Sequence, residues 1–160
     1  MTQTATETRT GTSRIEEPSW KGGVVAGLAG AAVMAVLMAV MNPAPLVGAI
    51  PSMYGLTPPS PAAGVALHLS HGAVLGVAFA ALLGRTGRID TGDRVQTVAA
   101  GVAWGVVTWV GLAALVMPVW LSVVGSPVSL PFPNLVPGSL LWHVVYGAVV
   151  GAVFPAVDGL

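Results

Sequence analysis

Four long windows without a charged residue constrain this chain more than any other feature. Each window lacks Asp, Glu, Lys and Arg and is close to the roughly 20 residues that a helix needs to cross the hydrocarbon core of a bilayer. A water-soluble domain could not cover its surface with charged residues at 8% of the chain and hydrophobic residues at 54%. We therefore predict an all-α integral membrane protein, a four-helix bundle with spans at about residues 22–42, 62–84, 95–117 and 139–156.

The segment before the first window has a different character. Residues 1–19 are polar, rich in threonine and without a hydrophobic period, which predicts a disordered tail ahead of a transmembrane domain at residues 20–160. The first apolar run is longer than the roughly 7–15 residues of a signal-peptide core, so we expect an uncleaved first span.

The basic residues predict the orientation of the chain in the membrane. They occur only before the first span and between the second and third spans, whereas residues 42–61 and 118–138 carry no charge. Because positive residues favour the cytoplasmic side, we expect both termini in the cytoplasm of a multi-pass protein of the cell membrane.

Composition and motifs exclude several functions. The acidic residues share the side of the basic ones and the net charge is zero, so no basic patch is available for nucleic acid. The chain has no cysteine for disulfides, thiolate metal sites or iron–sulfur clusters. It has no phosphate-binding loop and no metalloprotease motif. A histidine kinase is excluded physically, because the histidines lie in predicted spans and no room remains for a nucleotide-binding domain. We predict a protein that is not an enzyme by itself.

The chain also contains an internal similarity. A shift of 75 residues places "HLSHGAVLGVAF" over "HVVYGAVVGAVF" without a gap, and pairs Gly30 with Gly105 and Pro43 with Pro118. This pattern predicts two tandem two-helix repeats of equal orientation, related by an axis along the membrane normal. We expect Pro43 and Pro118 to mark the outer ends of the first and third spans.

Pairs of glycines spaced by four residues occur in all four predicted spans. Such pairs let helix backbones approach closely in lipid, where packing drives association. They predict a compact bundle or contacts between copies of the chain, through Gly23, Gly27, Gly72, Gly76, Gly101, Gly105, Gly147 and Gly151.

Three histidines are the main titratable groups of the apolar region. The repeat gives His68 and His143 matching depths, so their imidazoles could face each other and ligate a haem b iron axially. His71 shares a helix face with His68, and its repeat counterpart is Tyr146, which could accept or donate a hydrogen bond. We expect His71 and Tyr146 to lie around the His68 and His143 ligands without binding the iron or metal directly. An imidazole in a span also serves as a hydrogen-bond donor between helices, which is the structural alternative for this pair.

The methionines suggest a second cofactor. Met34, Met38 and Met41 share one face of the first span, while Met117 ends the third span on the same side and Met53 lies in the connector. Thioether and imidazole ligands without thiolates favour Cu(I), and Met38, Met41 and Met117 are the candidate ligands. Methionine at helical spacing is also typical of adaptable packing.

Three functions follow from these patterns. The first is a structural or partner subunit of a membrane assembly, surrounded by the lipid bilayer and able to form a homo-oligomer. The second is a redox subunit that binds haem or copper through His68 and His143. The third is a small channel or transporter, which the low polarity of the spans disfavours.

Five stretches carry a resemblance to a family: "WKGGVVAGLAG", "MYGL", "LSHGAVLGVAFAALLG", "ALVMPVWLS" followed by "FPNLVPGSL", and "WHVVYGAVVGAVFPA". With these stretches the chain resembles uncharacterised small four-helix membrane proteins of halophilic archaea, over nearly its whole length after the tail. The resemblance implies a prokaryotic cell membrane and transfers no catalytic residue.

Overall fold

The structure, a computed structural model, describes residues 18–160, so all but the last two residues of the predicted tail at residues 1–19 lie outside it. The described part is built of helices and turns, without a strand. In chain order its helices are α1 (Trp20–Met41), a π-helix (Pro45–Ala49), α2 (Ile50–Ser52), α3 (Pro61–Thr86), α4 (Arg94–Thr108), a second π-helix (Trp109–Val116), α5 (Met117–Val123) and α6 (Pro137–Val157).

Four of these segments are long and apolar enough to cross a membrane, which confirms the prediction of four membrane-crossing helices. The first span is α1, the second is α3 and the fourth is α6. The third span runs without interruption from Arg94 to Val123, through α4, the second π-helix and α5. These features are those of a multi-pass membrane protein.

Local sequence explains where the spans begin and end. Ser19, Ser60 and Asp93 stand at the N-caps of the first three spans, and each side chain accepts a hydrogen bond from a backbone N–H of the first turn. Gly87 ends the second span in the left-handed conformation, with φ of 56°.

The third span does not end at Pro118, contrary to the prediction. Proline lacks the N–H that would bond to a carbonyl of the preceding turn, which normally leaves an unpaired acceptor. Here Asn134, in the connector to the fourth span, supplies the missing donors. Its backbone N–H donates to the Ala114 carbonyl at 2.9 Å, and its side-chain nitrogen donates to the Ala113 carbonyl at 3.4 Å. The helix therefore continues to Val123.

The spans pack in the order second, first, fourth, third. The first span contacts both the second and the fourth, and the fourth contacts the third, whereas the second and third spans share no comparable interface. Aromatic side chains fill the centre of the bundle, where Phe79 lies 5.9 Å from Phe154 and 6.4 Å from Trp104 between ring centroids.

Glycines line the two closest helix contacts. A Cβ on Gly27 would overlap the Gly72 carbonyl between the first and second spans, and a Cβ on Gly101 would overlap the Gly147 carbonyl between the third and fourth. Backbones can approach this closely only where side chains are absent. We call these contacts the first and second glycine seams. The second seam also includes Gly105, which lies against the His143 carbonyl.

The seams correct one pair of the predicted alignment. Gly30 does not occupy the position of Gly105, because a Cβ on Gly30 would meet Tyr146 and Val150 of the fourth span, outside the first seam. The residue of the first span that lies near the second span at the corresponding level is Ala31, whose methyl group is close to Gly72.

The two ends of the bundle differ in polarity. One end, which we call the charged end, holds the loop at residues 87–93 and the two ends of the described chain, where Ser19 N–H donates to the Asp158 carboxylate at 2.6 Å. The opposite end, which we call the apolar end, holds the uncharged connectors at residues 42–60 and 124–136.

Candidate ligand-binding cavity

A cavity of about 530 Å³ lies among the four spans near the apolar end. Its wall takes residues from every span and from both uncharged connectors, and none of them is Asp, Glu, Lys or Arg. A volume of this size is typical of a pocket for a small organic molecule and far exceeds the space that one metal ion needs. The cavity can therefore hold an uncharged molecule without leaving an unpaired charge in the membrane.

All three histidines line this cavity. His68 is 7% exposed, and its Nε2 donates to the Ala31 carbonyl of the first span at 3.1 Å. His143 also donates to a carbonyl, from Nδ1 to Ser139 of its own helix at 2.7 Å. The histidines paired by the predicted repeat thus share one cavity but have different hydrogen-bond partners, since only the His68 bond links two spans.

The two tyrosines of the chain form hydrogen bonds beside the histidines of the cavity wall. His71 Nε2 lies 2.5 Å from the Tyr54 hydroxyl, and the two rings stack with centroids 5.8 Å apart. Tyr146, expected to accept or donate a hydrogen bond, donates its hydroxyl to the Gly72 carbonyl at 3.0 Å. His71 therefore binds the connector, and Tyr146 links the fourth span to the second.

Four methionines contribute to the cavity wall, and Met38 is buried there at 3% exposure. Met41 is absent from the wall, because its side chain is half exposed and its sulfur accepts the Trp142 indole N–H at 3.2 Å. The structure thus brings two of the three candidate copper ligands to the cavity and leaves the third outside it. The methionines of the wall are Met34, Met38, Met53 and Met117.

Two observations bear on the predicted haem or copper site, which stays a prediction. Among residues 18–160, no group of three His, Asp or Glu side chains is placed to hold a metal ion. Axial ligation of haem through His68 Nε2 would break its hydrogen bond to the first span. The neutral imidazoles and thioethers of the wall suit an organic ligand at least as well.

The two uncharged connectors and the end of the third span are tied together across the apolar end. The Trp120 indole N–H donates to the Met53 carbonyl at 2.9 Å, and the Ser126 hydroxyl donates to the Ser52 hydroxyl at 3.0 Å. Residues from both connectors, including Met53 and Leu130, line the cavity. We call these tied connectors the roof.

One side of the cavity borders the lipid-facing surface. Val74 of the second span and Leu112 and Val116 of the third all line the cavity, with 68%, 42% and 49% of their surface exposed. These two spans share no comparable interface, as described above. The cavity therefore has an open side between these two spans, which we call the lateral gap.

Sequence reasoning missed Tyr54 and Asn134. Both lie in connectors that appear featureless by hydrophobic pattern, yet Tyr54 binds His71 and Asn134 completes the third span and lines the cavity. The "FPNLVPG" stretch offered a signal for Asn134, because an amide in an otherwise apolar segment needs hydrogen-bond partners when it is buried.

Comparison of the chain with protein-family models found no match. Curated proteins gave no match either, and the same holds for solved structures.

Proposed function

We propose that this protein binds an uncharged, lipid-soluble small molecule inside the membrane. The observation that carries the proposal is the cavity itself: about 530 Å³ among four spans, walled by apolar side chains and neutral histidine, asparagine and tyrosine groups without a charged residue. Apolar pockets with a few polar groups are the usual form of small-molecule sites.

The surroundings of the cavity support access from the membrane. The roof joins both connectors over the apolar end, and the lateral gap is bordered by exposed valine and leucine side chains. A molecule dissolved in the bilayer reaches such a gap without crossing water. The proposal therefore makes the protein a membrane-embedded binding or carrier subunit, which is compatible with a role as a partner in a larger assembly.

The test is photolabelling of the full chain in phosphatidylcholine nanodiscs with a dodecanol that carries a diazirine. The proposal predicts saturable labelling of cavity residues. Ala113 lines the cavity, so Ala113→Phe should reduce the labelling by filling space. The matched control is Ala103→Phe, because Ala103 is exposed on the same span and absent from the wall. Equal, non-saturable labelling of both variants would contradict the proposal.

A copper or haem subunit is the cofactor alternative that the sequence offers for these histidines. An absorption spectrum of purified protein, oxidised and reduced, with metal analysis distinguishes it from the proposed function. A haem band or one copper per chain, lost in His143→Ala, would contradict the proposed function and support a cofactor-binding subunit.

We also propose that the apolar end faces the outside of the cell and both termini face the cytoplasm. The distribution of basic residues supports this orientation. The chain has no cysteine, so single cysteines report the side directly. Ser129 is exposed and absent from the cavity wall. Ser129→Cys should react with a membrane-impermeant maleimide on whole cells, and Asp90→Cys should not; the opposite result reverses the orientation. The resemblance to halophilic archaeal proteins supports a prokaryotic cell membrane.

A further inference from the structure

We infer that the bound molecule presents a hydrogen-bond donor, and that an alcohol is its chemical class. The inference rests on the proposed function and concerns three side chains of the cavity wall: His68, Tyr146 and His143. We call them the acceptor wall, for the reason given next.

Each residue of the acceptor wall donates a hydrogen to a backbone carbonyl. His68 Nε2 donates to Ala31, His143 Nδ1 to Ser139 and the Tyr146 hydroxyl to Gly72, at distances of 3.1, 2.7 and 3.0 Å. A carbonyl oxygen can only accept, so the hydrogen belongs to the side chain in each case. A neutral imidazole carries one N–H and a tyrosine one O–H, so none of the three has a second hydrogen to offer.

The side chains of the acceptor wall can still accept hydrogen bonds. His68 keeps Nδ1 and His143 keeps Nε2 as bare ring nitrogens, and the Tyr146 oxygen can still accept. In residues 18–160 the buried side-chain nitrogens and oxygens without a partner reduce to Trp104 Nε1. The two bare histidine nitrogens have no partner in this part of the chain either, so they are not sealed and reach open space.

A ligand that complements this wall has a donor hydrogen and no charge. An ether or an ester offers acceptors only and would leave the lone pairs facing each other. An ammonium group is a donor, but its charge would enter a cavity without Asp or Glu, which is costly in a membrane. A hydroxyl group on an apolar body satisfies both conditions, because it donates a hydrogen bond to the acceptor wall and keeps its proton.

The experiment compares competitors that differ only at the polar end. A diazirine derivative of dodecane labels the full chain in phosphatidylcholine nanodiscs, and dodecanol, methyl dodecyl ether, dodecane and dodecylammonium compete at equal mole fraction in the membrane. We expect dodecanol to block labelling at about five- to tenfold lower concentration than the ether, which corresponds to one hydrogen bond in a dry site. The ether should resemble dodecane, and dodecylammonium should block less well than dodecanol.

Variants then assign the preference to the wall. His143→Phe keeps a ring in place but removes one of the three acceptors, so the advantage of dodecanol over the ether should fall while dodecane still competes. Met38→Leu, a change of similar size at a cavity residue outside the acceptor wall, should keep the full advantage.

Each outcome has a distinct meaning. Equal competition by alcohol and ether in the unmodified chain, or better competition by the ether or the ammonium, overturns the inference while labelling of the cavity upholds the proposed function. Absence of saturable cavity labelling by any of these probes overturns the proposed function itself. The comparison in the unmodified chain decides the inference even where a variant fails to fold.

Discussion

The two helix hairpins of this protein share a close glycine contact but differ beyond it. The first hairpin consists of the first and second spans, and the second hairpin of the third and fourth. Gly101 follows Gly27 by 74 positions, whereas their seam partners Gly147 and Gly72 are 75 positions apart. At the apolar end, Pro118 again follows Pro43 by 75. The third span therefore contains one more residue between seam and proline than the first span does.

The π-helix at Trp109–Val116 lies between these points and accommodates the additional residue. A single residue inserted into an α-helix widens one turn to the π form, and such turns are frequent at functional sites. Leu112, Ala113 and Val116 of this π-helix line the cavity. The additional residue of the third span thus lies at the candidate binding site. The glycine contacts common to both hairpins hold the spans together, and the π-helix found, among the spans, only in the third shapes the cavity wall.

The largest expected effect comes from substitutions in the glycine seams, which both hairpins contain. Gly27→Ala and Gly101→Ala each place a methyl group against a carbonyl of the facing span. We expect each to destabilise the protein by roughly 1–3 kcal/mol, the usual cost of overpacking. Thermal unfolding in detergent measures it.

The matched control for both seams is Gly111→Ala in the third span, where a Cβ meets no atom within 4 Å. It should leave the unfolding temperature nearly unchanged. If Gly111→Ala cost as much as the seam variants, close backbone approach would not be the reason for glycine at the seams.

The second prediction concerns Asn134, a feature of the second hairpin alone. Asn134→Ala removes the side-chain donor to the Ala113 carbonyl, next to the gap left by Pro118. We expect a loss of about 1 kcal/mol. Pro118→Ala supplies a backbone N–H to the same turn, so Asn134→Ala should cost less in that background. A double-mutant cycle measures this coupling, and strictly additive costs would refute the explanation of why the third span continues.

A third prediction compares the two histidines of the repeat. His68→Phe removes a hydrogen bond between two spans, whereas His143→Phe removes one within a single helix. Bonds between spans average about 0.6 kcal/mol, so His68→Phe should lower stability by about this amount more than His143→Phe. Unfolding of the two variants in the same detergent gives the difference. Equal losses would mean that the His68 bond to Ala31 does not hold the spans together.

The smallest expected effect is a pH dependence of the N-terminal cap of the third span, which the cap of the first span should lack. Hydrogen bonds from the Gln96 side chain, and then from the backbone N–H groups of Gln96 and Val95, lower the pKa of Asp93, which caps the third span. The first span is capped by Ser19, which does not titrate. Because the folded-state pKa lies below the unfolded one, the cap contributes fully above the usual aspartate pKa and is lost as the pH falls through the lowered value.

Amide hydrogen exchange tests this prediction. Exchange at Val95 and Gln96 should accelerate on acidification relative to Gly22, after correction for intrinsic rates. In Asp93→Asn the acceleration should disappear. An equal change at both helix starts would assign the pH effect to the whole bundle.

Sequence predicted the frame well because membrane spans leave a strong signal in composition. The charge-free windows identified all four spans, and their ends differ from the structure by few residues except in the third span. That exception depends on Asn134, whose hydrogen bonds cross from another segment of the chain, and no local pattern at Pro118 shows them.

The candidate site was harder to predict than the frame. His68, His143, Met38 and Met117 do line one cavity, but residue types alone left haem, copper and a hydrogen bond between helices open. The hydrogen-bond partners of the histidines and the size of the cavity add an organic ligand to these alternatives, and both are properties of the packed bundle. The exclusion of Met41 from the wall depends likewise on its contact with Trp142.

Native mass spectrometry of the protein, purified in mild detergent from its own membrane, tests the central claim most directly. We predict a population of the unmodified chain and of Ala103→Phe with one bound, uncharged small molecule, and loss of that population in Ala113→Phe. A chain that carries no small molecule, or carries the same adducts in both variants, would contradict the claim that the cavity is a binding site.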